Sequence, residues 1–177
     1  MRLPRQLPAD ELHGVYREHV SAVYRFFAYS VSPDTAEDLT AATFERVVRH
    51  WGRFDARRSS ERTWILAIAR NLLTDHFRRG RRRSGPSLDE HPELGENIAS
   101  GDDPAEQQAR VETVKGWLSL LGAREREVVA MRYGADLSTA EIARLLGLSE
   151  ANVLQITSRA LRRLKKELSD REVTDNA

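Results

Sequence analysis

The most constraining stretch of this 177-residue chain runs from residue 138 to residue 166, STAEIARLLGLSEANVLQITSRALRRLKK. Ser138 followed by Glu141 is a capping box, so a helix is predicted to begin there. Gly147 predicts its end, because the position after a helix favours the left-handed conformation that glycine adopts at low cost. Ser149 can cap a second helix, whose apolar side chains recur at steps of three and four. Two helices joined by so tight a turn are typical of a helix-turn-helix.

The second of these helices leaves a polar and basic outer face. In a DNA-binding helix-turn-helix, the second helix lies in the major groove, with its N-terminal residues nearest the base edges. Gln155 and Arg159 are four residues apart on this face, so they are candidates for pairing with adenine and guanine. Arg162 and Arg163 lie further along the helix and are predicted to contact phosphate. The alternative is a plain helical hairpin with a solvated basic face.

The net charge is only +1, but the charged residues are segregated along the chain. Residues 1–83 carry 16 basic and 10 acidic side chains, whereas residues 84–109 carry seven acidic side chains and no basic one. Residues 110–177 carry twelve basic and ten acidic side chains. Two basic segments around an acidic one indicate two modules that face nucleic acid, joined by a segment that avoids it.

Several classes of protein are disfavoured by what the sequence lacks. There is no cysteine, so disulfides and thiolate metal sites are excluded. The N-terminal residues lack the apolar core of a signal peptide, and no apolar run approaches a membrane span. No phosphate-binding glycine loop, metal-spaced histidine cluster or pairing of a nucleophile with a base is recognisable. We therefore expect a soluble, cytoplasmic protein that is not an enzyme, contacts no membrane and needs no metal or cofactor.

Helical periodicity runs through most of the chain and no strand pattern appears, which predicts an all-α fold of two small helical domains. The first domain, residues 10–83, should contain three helices, the third running from residue 61 to residue 79 with Gly80 closing it. Residues 84–103 contain three glycines, two prolines and scattered acids, so they are predicted to form a flexible acidic linker. The second domain, residues 104–168, should contain four helices, including the helix-turn-helix.

A second polar surface is predicted at the start of the third helix, where Arg57, Arg58 and Ser60 precede Trp64. Arginines near an aromatic ring can hold a phosphate backbone and stack on unpaired bases. The alternative is that Trp64 belongs to the hydrophobic core and that the arginines lie on its solvated side. Further polar side chains follow along one face of the helix: Arg70, Asn71, Arg78 and Arg79.

These segments resemble a known family. Phe54-Asp55, Trp64-Ile65 and the run from residue 68 to residue 79 are similar to the signature of region 2 in bacterial RNA polymerase sigma factors. Residues 36–39 and 43–44 resemble the preceding polymerase-binding helix. Residues 120–133 resemble the opening of region 4, and the helix-turn-helix resembles its end. Only these two regions fit into 177 residues, so the chain is identified as a member of the extracytoplasmic-function class.

The resemblance implies a non-catalytic protein that binds core RNA polymerase and directs initiation at specific promoters. Region 4 would bind the flap tip of the β subunit, and an anti-sigma factor is a usual further partner in this family. Region 2 would bind the clamp helices of the β′ subunit through Asp38, Leu39, Thr43, Phe44 and Val47. It would stabilise the melted −10 strand through Arg57, Arg58, Ser60, Trp64, Arg70, Asn71, Arg78 and Arg79. Region 4 would read the −35 element through Asn152, Leu154, Gln155, Ser158, Arg159, Arg162 and Arg163.

The chain departs from the family's pattern in two places. Thr40-Ala41-Ala42 replaces a usual Gln-Glu pair in the polymerase-binding helix, and Leu154 and Ile156 replace basic residues in the recognition helix. Leu154 points outward, where an apolar side chain can contact a thymine methyl group. Ile156 instead falls on the inner face. A two-lobe repressor or activator, an adaptor with a basic face and a nuclease are the rival functions.

Overall fold

Helices make up nearly all of the chain that the structure describes. The computed structural model describes residues 9–84 and 116–175, and no strand occurs within those ranges, which confirms the predicted all-α class. Residues 116–119 are also helical. A 3₁₀ turn, Trp51–Arg53, follows α2, and a π-helical turn, Ala130–Gly134, follows α4. The α-helices are α1 (Ala9–Ala28), α2 (Pro33–His50), α3 (Glu61–Ser84), α4 (Ala123–Val129), α5 (Thr139–Leu146) and α6 (Glu150–Asp175).

The first three helices pack on one another and form the first lobe, residues 9–84. Their inner faces bury large apolar side chains, among them Phe26, Val47 and Ile65. Helix α3 continues to Ser84, so the prediction that Gly80 ends it is wrong. A glycine inside a helix costs only about 1 kcal/mol, and the arginines that flank it here favour the helical conformation.

Helices α4, α5 and α6 form the second lobe, residues 116–175, and a buried arginine fastens its first segment. The Arg126 side chain donates from Nε to the Leu118 carbonyl and from a terminal nitrogen to the Leu121 carbonyl, both at 3.0 Å. Burial lowers the pKa of Arg126. The Leu118 carbonyl also accepts from the Leu121 amide at 3.2 Å, so the Arg126 side chain adds to the hydrogen bonding of the turn that precedes Gly122.

The predicted helix-turn-helix is present in α5 and α6. The Glu141 amide donates to the Ser138 hydroxyl at 3.3 Å, and the Ser138 amide donates to the Glu141 carboxylate at 2.9 Å. Gly147 has a φ of 64°, the left-handed conformation predicted at the end of the helix. The Asn152 amide donates to the Ser149 hydroxyl at 3.2 Å, so the second helix also has its predicted cap. Its inner face buries Val153, Ile156 and Ala160.

The two lobes pack against each other. Phe26 and Ile65 of the first lobe belong to the same hydrophobic cluster as Met131 of the second. At Gly134 the backbones approach so closely that a Cβ atom would lie 3.2 Å from the Arg25 carbonyl oxygen. Two lobes were predicted from the sequence, but their direct contact was not.

Some predictions fall outside the described residues. The flexible acidic linker at 84–103 does so apart from Ser84, and the start of the second domain at residue 104 does so as well. Among the helices that the structure describes, none combines the length and the apolar character needed to cross a bilayer.

Candidate nucleic-acid interface

The outer face of α6 is accessible along its first three turns. Leu154, Gln155 and Arg159 are exposed, and the Leu154 side chain keeps 56% of its surface in contact with solvent although it is large and apolar. The inner stripe of α6 is buried against α4 and α5, so this outer face is the one that a DNA groove could receive. The same face also carries Ser158 and Arg162, both exposed, and Asn152, which is half-buried.

Arg163 is exposed like Arg162, but its guanidinium is also bonded within the second lobe, and its phosphate contact stays a prediction. Its guanidinium donates to the Glu125 carboxylate at 3.1 Å and to the Leu120 carbonyl at 3.3 Å. Both partners lie beside the start of α4, within the second lobe. Arg163 therefore ties α6 to the segment before α4 in this structure, and Arg162 remains the better candidate for a phosphate contact.

The loop between α2 and α3 is shaped by a carboxylate. Asp55 accepts hydrogen bonds from the Arg57 amide at 3.0 Å and from Nε of the same residue at 3.1 Å. These bonds, together with the neighbouring Arg58, lower the pKa of Asp55. The Arg57 side chain is 91% exposed, and Arg58 is exposed as well. Asp55 thus stabilises the conformation of a loop in which the guanidinium groups of Arg57 and Arg58 are exposed to solvent.

Trp64 belongs to an aromatic cluster and is half-buried rather than wholly core. Its ring centroid lies 5.5 Å from that of Phe54 and 5.8 Å from that of Trp51, in tilted and edge-on arrangements that aromatic pairs favour. The sequence left core and surface roles open, and the structure supports part of each. Beyond it on α3, Asn71, Arg78 and Arg79 are exposed.

Two other residues predicted to contact the −10 strand are engaged by the second lobe. The Ser60 hydroxyl donates to the Glu141 carboxylate at 3.3 Å. Arg70 Nε donates to the Glu127 carboxylate at 2.7 Å. Thr63, which is buried, donates a shorter bond of 2.7 Å to the same oxygen of Glu141. The sequence did not single out these carboxylates as partners, because no periodic pattern relates residues so far apart along the chain.

The pKa of the Glu141 carboxyl is strongly lowered in this fold. Burial alone would raise the pKa of this carboxyl, but hydrogen bonds from the Ser138 hydroxyl and amide and from Thr63 and Ser60 outweigh burial. Together they lower the pKa from its ordinary value of 4.5 to about 2. The carboxylate therefore stays charged at every physiological pH, both as the cap of α5 and as the acceptor of bonds from α3.

We expect the stabilising effect of Glu141 to depend on acidity in a defined direction. A carboxyl whose pKa is lowered by folding stabilises the protein fully above its unfolded pKa and loses that effect as the pH falls through the folded pKa. The free energy of unfolding of Glu141→Gln should thus fall below that of the parent at pH 6. The difference should shrink between pH 4.5 and about 2. Urea denaturation across this range would measure it.

Glu45→Gln is a suitable control for that experiment, because Glu45 is exposed on α2. Its stability should follow the parent at each pH. A constant difference between Glu141→Gln and the parent down to pH 2 would contradict the role assigned to the Glu141 charge.

On α2, the predicted polymerase-binding residues divide between surface and core. Thr43, Phe44 and Val47 are buried in this fold, and a contact of their side chains with polymerase stays a prediction. The Thr43 hydroxyl donates to the Leu39 carbonyl at 2.7 Å, and Phe44 packs edge-on against Tyr16. Asp38 is exposed and Leu39 is half-buried, so these two remain available on the outer face of α2.

The departure from the family's pattern on α2 has a local explanation. Thr40 is buried, and its hydroxyl donates to the Ala36 carbonyl at 2.7 Å. Its polar group is therefore satisfied within the helix. Ala41 is exposed and Ala42 is half-buried, which leaves a small and uncharged surface at the positions where the family usually has a polar pair.

Comparison with known proteins matches each lobe to a separate region of one protein family. Residues 15–83 match the family model for Sigma-70 region 2, and residues 117–166 match that for Sigma-70, region 4. The ECF RNA polymerase sigma factor BldN of Streptomyces coelicolor is 32% identical over 163 residues, covering 92% of this chain but only 62% of BldN. The ECF RNA polymerase sigma factor SigM of Bacillus subtilis is also 32% identical over 163 residues, covering 91% of this chain and 96% of SigM.

The solved structures add a likeness in fold. The sigma factor RpoE from Bartonella quintana, in complex with the anti-sigma factor NepR, matches with a TM-score of 0.72 and 22% identity. The match covers 91% of this chain and 98% of that chain. At this identity the likeness concerns the arrangement of helices alone.

Proposed function

Because the chain belongs to the extracytoplasmic-function family of RNA polymerase sigma factors, we propose that it binds core RNA polymerase and directs initiation at a specific set of promoters. The observation that carries the proposal is the order of the two matched regions, with a helix-turn-helix whose outer face is exposed at the end of the second. The protein supplies binding and no chemistry of its own, and it acts on promoter DNA in the cytoplasm.

The second lobe would read the −35 element. Gln155 and Arg159 lie near the N-terminal end of α6, where the recognition helix of a helix-turn-helix approaches base edges. Arg159 can donate two bonds to one guanine, and Gln155 can pair with adenine. The exposed Leu154 side chain can contact a thymine methyl group, while Arg162 contacts phosphate and sets the position of the helix.

The first lobe would hold the melted −10 strand. Its exposed arginines supply phosphate contacts, and the half-buried Trp64 offers an aromatic edge beside them. The exposed amide of Asn71 can bond to an unpaired base. The residues of this surface that are exposed in the structure are Arg57, Arg58, Ser60, Asn71, Arg78 and Arg79.

The polymerase contact is proposed for the outer face of α2 around Asp38 and Leu39, directed at the clamp helices of the β′ subunit. The second lobe would bind the flap tip of the β subunit. Since RpoE was solved with an anti-sigma factor, we extend the proposal to a partner of that kind. These contacts fit a protein that works only as part of a larger transcription complex.

Transcription from defined components tests the function directly. Genomic DNA fragments would be incubated with core polymerase, nucleotides and the purified protein, and the 5′ ends of the transcripts mapped. We expect discrete start sites that appear only when the protein is added. A repressor or an adaptor would create no new start site. If no start site appeared at any concentration of the protein, the proposal would be ruled out.

We expect the double substitution of Arg58 and Asn71 by alanine to impair melting more than initial binding. Both side chains are exposed on the proposed −10 surface, so their removal leaves the hydrophobic core intact. Permanganate reactivity of promoter thymines should fall about tenfold. This corresponds to a loss of roughly 1.4 kcal/mol in the free energy of promoter melting. Retention of the duplex promoter by the polymerase complex should change much less.

The matched control for this variant is Arg17→Ala on α1, which is exposed but lies outside the proposed surface. Its permanganate pattern should equal that of the parent. Parental reactivity in the double variant would remove Arg58 and Asn71 from the −10 site.

A further inference from the structure

The first turn of α6 carries an exposed carboxylate that is free to bind another molecule. Glu150 is exposed, and its side chain has no hydrogen-bond or ion-pair partner among the residues that the structure describes. The cap of α6 is the Ser149 hydroxyl, which accepts from the Asn152 amide at 3.2 Å. Beyond the general benefit of a negative charge near a helix N-terminus, the fold therefore gives the Glu150 carboxylate no role.

Helical geometry places Glu150 on one flank of the outer face of α6, beside Leu154. The two residues are four positions apart, so they differ by about 40° around the helix axis and by about 6 Å along it. Arg159 lies about 140° around the axis from Leu154, on the opposite flank. The exposed side chains between the flanks, those of Ala151 and Ser158, are small. The backbone of α6 can therefore approach the base edges closely enough for the longer side chains of each flank to reach them.

The two side chains of the first flank match the major-groove edges of pyrimidines. An ionised carboxylate only accepts hydrogen bonds. Cytosine offers it the N4 amine, whereas guanine and thymine offer acceptors, and the N6 amine of adenine lies beside the N7 acceptor. A leucine side chain gains instead from covering the C5 methyl group of thymine. Cytosine is therefore the base that suits Glu150, as thymine suits Leu154.

The charge of Glu150 also favours a specific contact with a base. Phosphates line both sides of the major groove, so a carboxylate on the face that enters the groove opposes binding unless a base donor offsets the repulsion. Repulsion of this kind penalises the wrong sequences more than the right one, which is how an unfavourable contact produces specificity. Arg159 and Arg162, on the same outer face, supply the attraction that this arrangement needs.

We infer that Glu150 is a specificity-determining residue of the −35 contact. Its carboxylate accepts a hydrogen bond from the N4 amine of a cytosine that lies on the same strand as the thymine contacted by Leu154. Successive base pairs are about 3.4 Å apart, so the distance of about 6 Å between the two residues corresponds to one or two base steps. The inference rests on the proposed function, because it requires that α6 enters the major groove of promoter DNA, and it adds the base that the first turn of α6 selects.

Glu150→Gln tests the charge and leaves the shape of the side chain almost unchanged. Its amide can donate as well as accept, so the preference for cytosine at one position should fall about tenfold, within the range of a single mismatched base pair. Loss of the repulsion should at the same time raise affinity for non-cognate duplex. Glu45→Gln, at an exposed position of α2, is the matched control and should keep the base preferences of the parent.

Removal of a single methyl group from DNA locates Leu154 on the −35 element. Each thymine of the element is replaced in turn by deoxyuridine, which lacks only the C5 methyl group. The affinity of the parent in complex with core polymerase should fall about fourfold at one thymine, as for the burial of one methyl group. Leu154→Ala should lose this difference. Leu161→Ala is the control, because Leu161 is also exposed but lies about two turns further along α6.

Mapped transcript starts first fix where the −35 element lies. Duplexes randomised over that segment are then selected with core polymerase in complex with the parent or with each variant, and the selected sequences are compared. We expect Glu150→Gln to lose the preference for one cytosine, one or two base pairs from the thymine of Leu154 on the same strand. Unchanged base preferences in Glu150→Gln, an equal change at every position, or a cytosine on the opposite strand would overturn the inference while the starts leave the proposed function intact. Missing starts would remove the function itself.

Discussion

Arg159→Ala should reduce affinity for the −35 element by roughly 1–3 kcal/mol, which corresponds to about five- to 150-fold. Arg159 is exposed on the outer face of α6, one turn beyond Gln155, where a guanidinium can donate two bonds to guanine. The loss should be confined to one base position, and the variant should accept other bases there more readily than the parent does. Binding of the polymerase complex to a panel of single substitutions in the −35 element would measure both effects.

Arg162→Ala is the matched comparison, because Arg162 is exposed further along the same helix. Loss of its contact with phosphate should weaken binding to every member of the panel alike. It should also reduce the slope of log affinity against log salt concentration by about one. Measuring both variants at two salt concentrations separates base reading from phosphate binding. A uniform loss across the panel for Arg159→Ala would leave that residue with only a phosphate contact.

Arg126→Ala should lower the free energy of unfolding by about 2–4 kcal/mol, because it removes two buried hydrogen bonds from a guanidinium to backbone carbonyls. Those carbonyls belong to Leu118 and Leu121, each 3.0 Å from the side-chain nitrogen of Arg126 that donates to it. The truncated side chain also leaves a void, since Arg126 is only 8% exposed. Urea denaturation followed by circular dichroism would measure the change.

Two neighbouring substitutions sharpen this test. Arg124→Ala removes a side chain that is 42% exposed, whose ion pair with Glu127 should contribute less than about 1 kcal/mol. Arg126→Lys keeps the charge but can reach only one carbonyl at a time, so its stability should fall between the alanine variant and the parent. Equal stability of Arg126→Ala and Arg124→Ala would show that the buried guanidinium does not hold this segment.

The helix-turn-helix could be predicted from the sequence because its determinants are local. Ser138 and Glu141 cap a helix within one turn of each other, and Gly147 ends it through its own backbone conformation. The outer face of α6 could also be predicted from the sequence, since helical spacing alone places Arg159 on a different side of the helix from the buried Ile156. The prediction that α3 ends at Gly80 is wrong because a glycine costs a helix only about 1 kcal/mol. The helix-favouring arginines on either side outweigh that cost.

On α2, the resemblance placed Thr43, Phe44 and Val47 in a polymerase contact, whereas the fold buries all three. A short motif predicts which helix belongs to an interface, but the packing of α1 and α3 against α2 decides which faces of α2 remain exposed.

By itself, therefore, the sequence determined the all-α class, the order of the helices and the exposed side of α6, because caps, turns and periodicity act over a few residues. The tertiary structure decided the burial of Arg126, the capture of Arg163 by Glu125 and the contact of Glu141 with Thr63. Each of these joins groups that are distant along the chain or that lie on different elements. Their distances exist only after the hydrophobic faces have packed and brought charged and polar groups within 4 Å of one another.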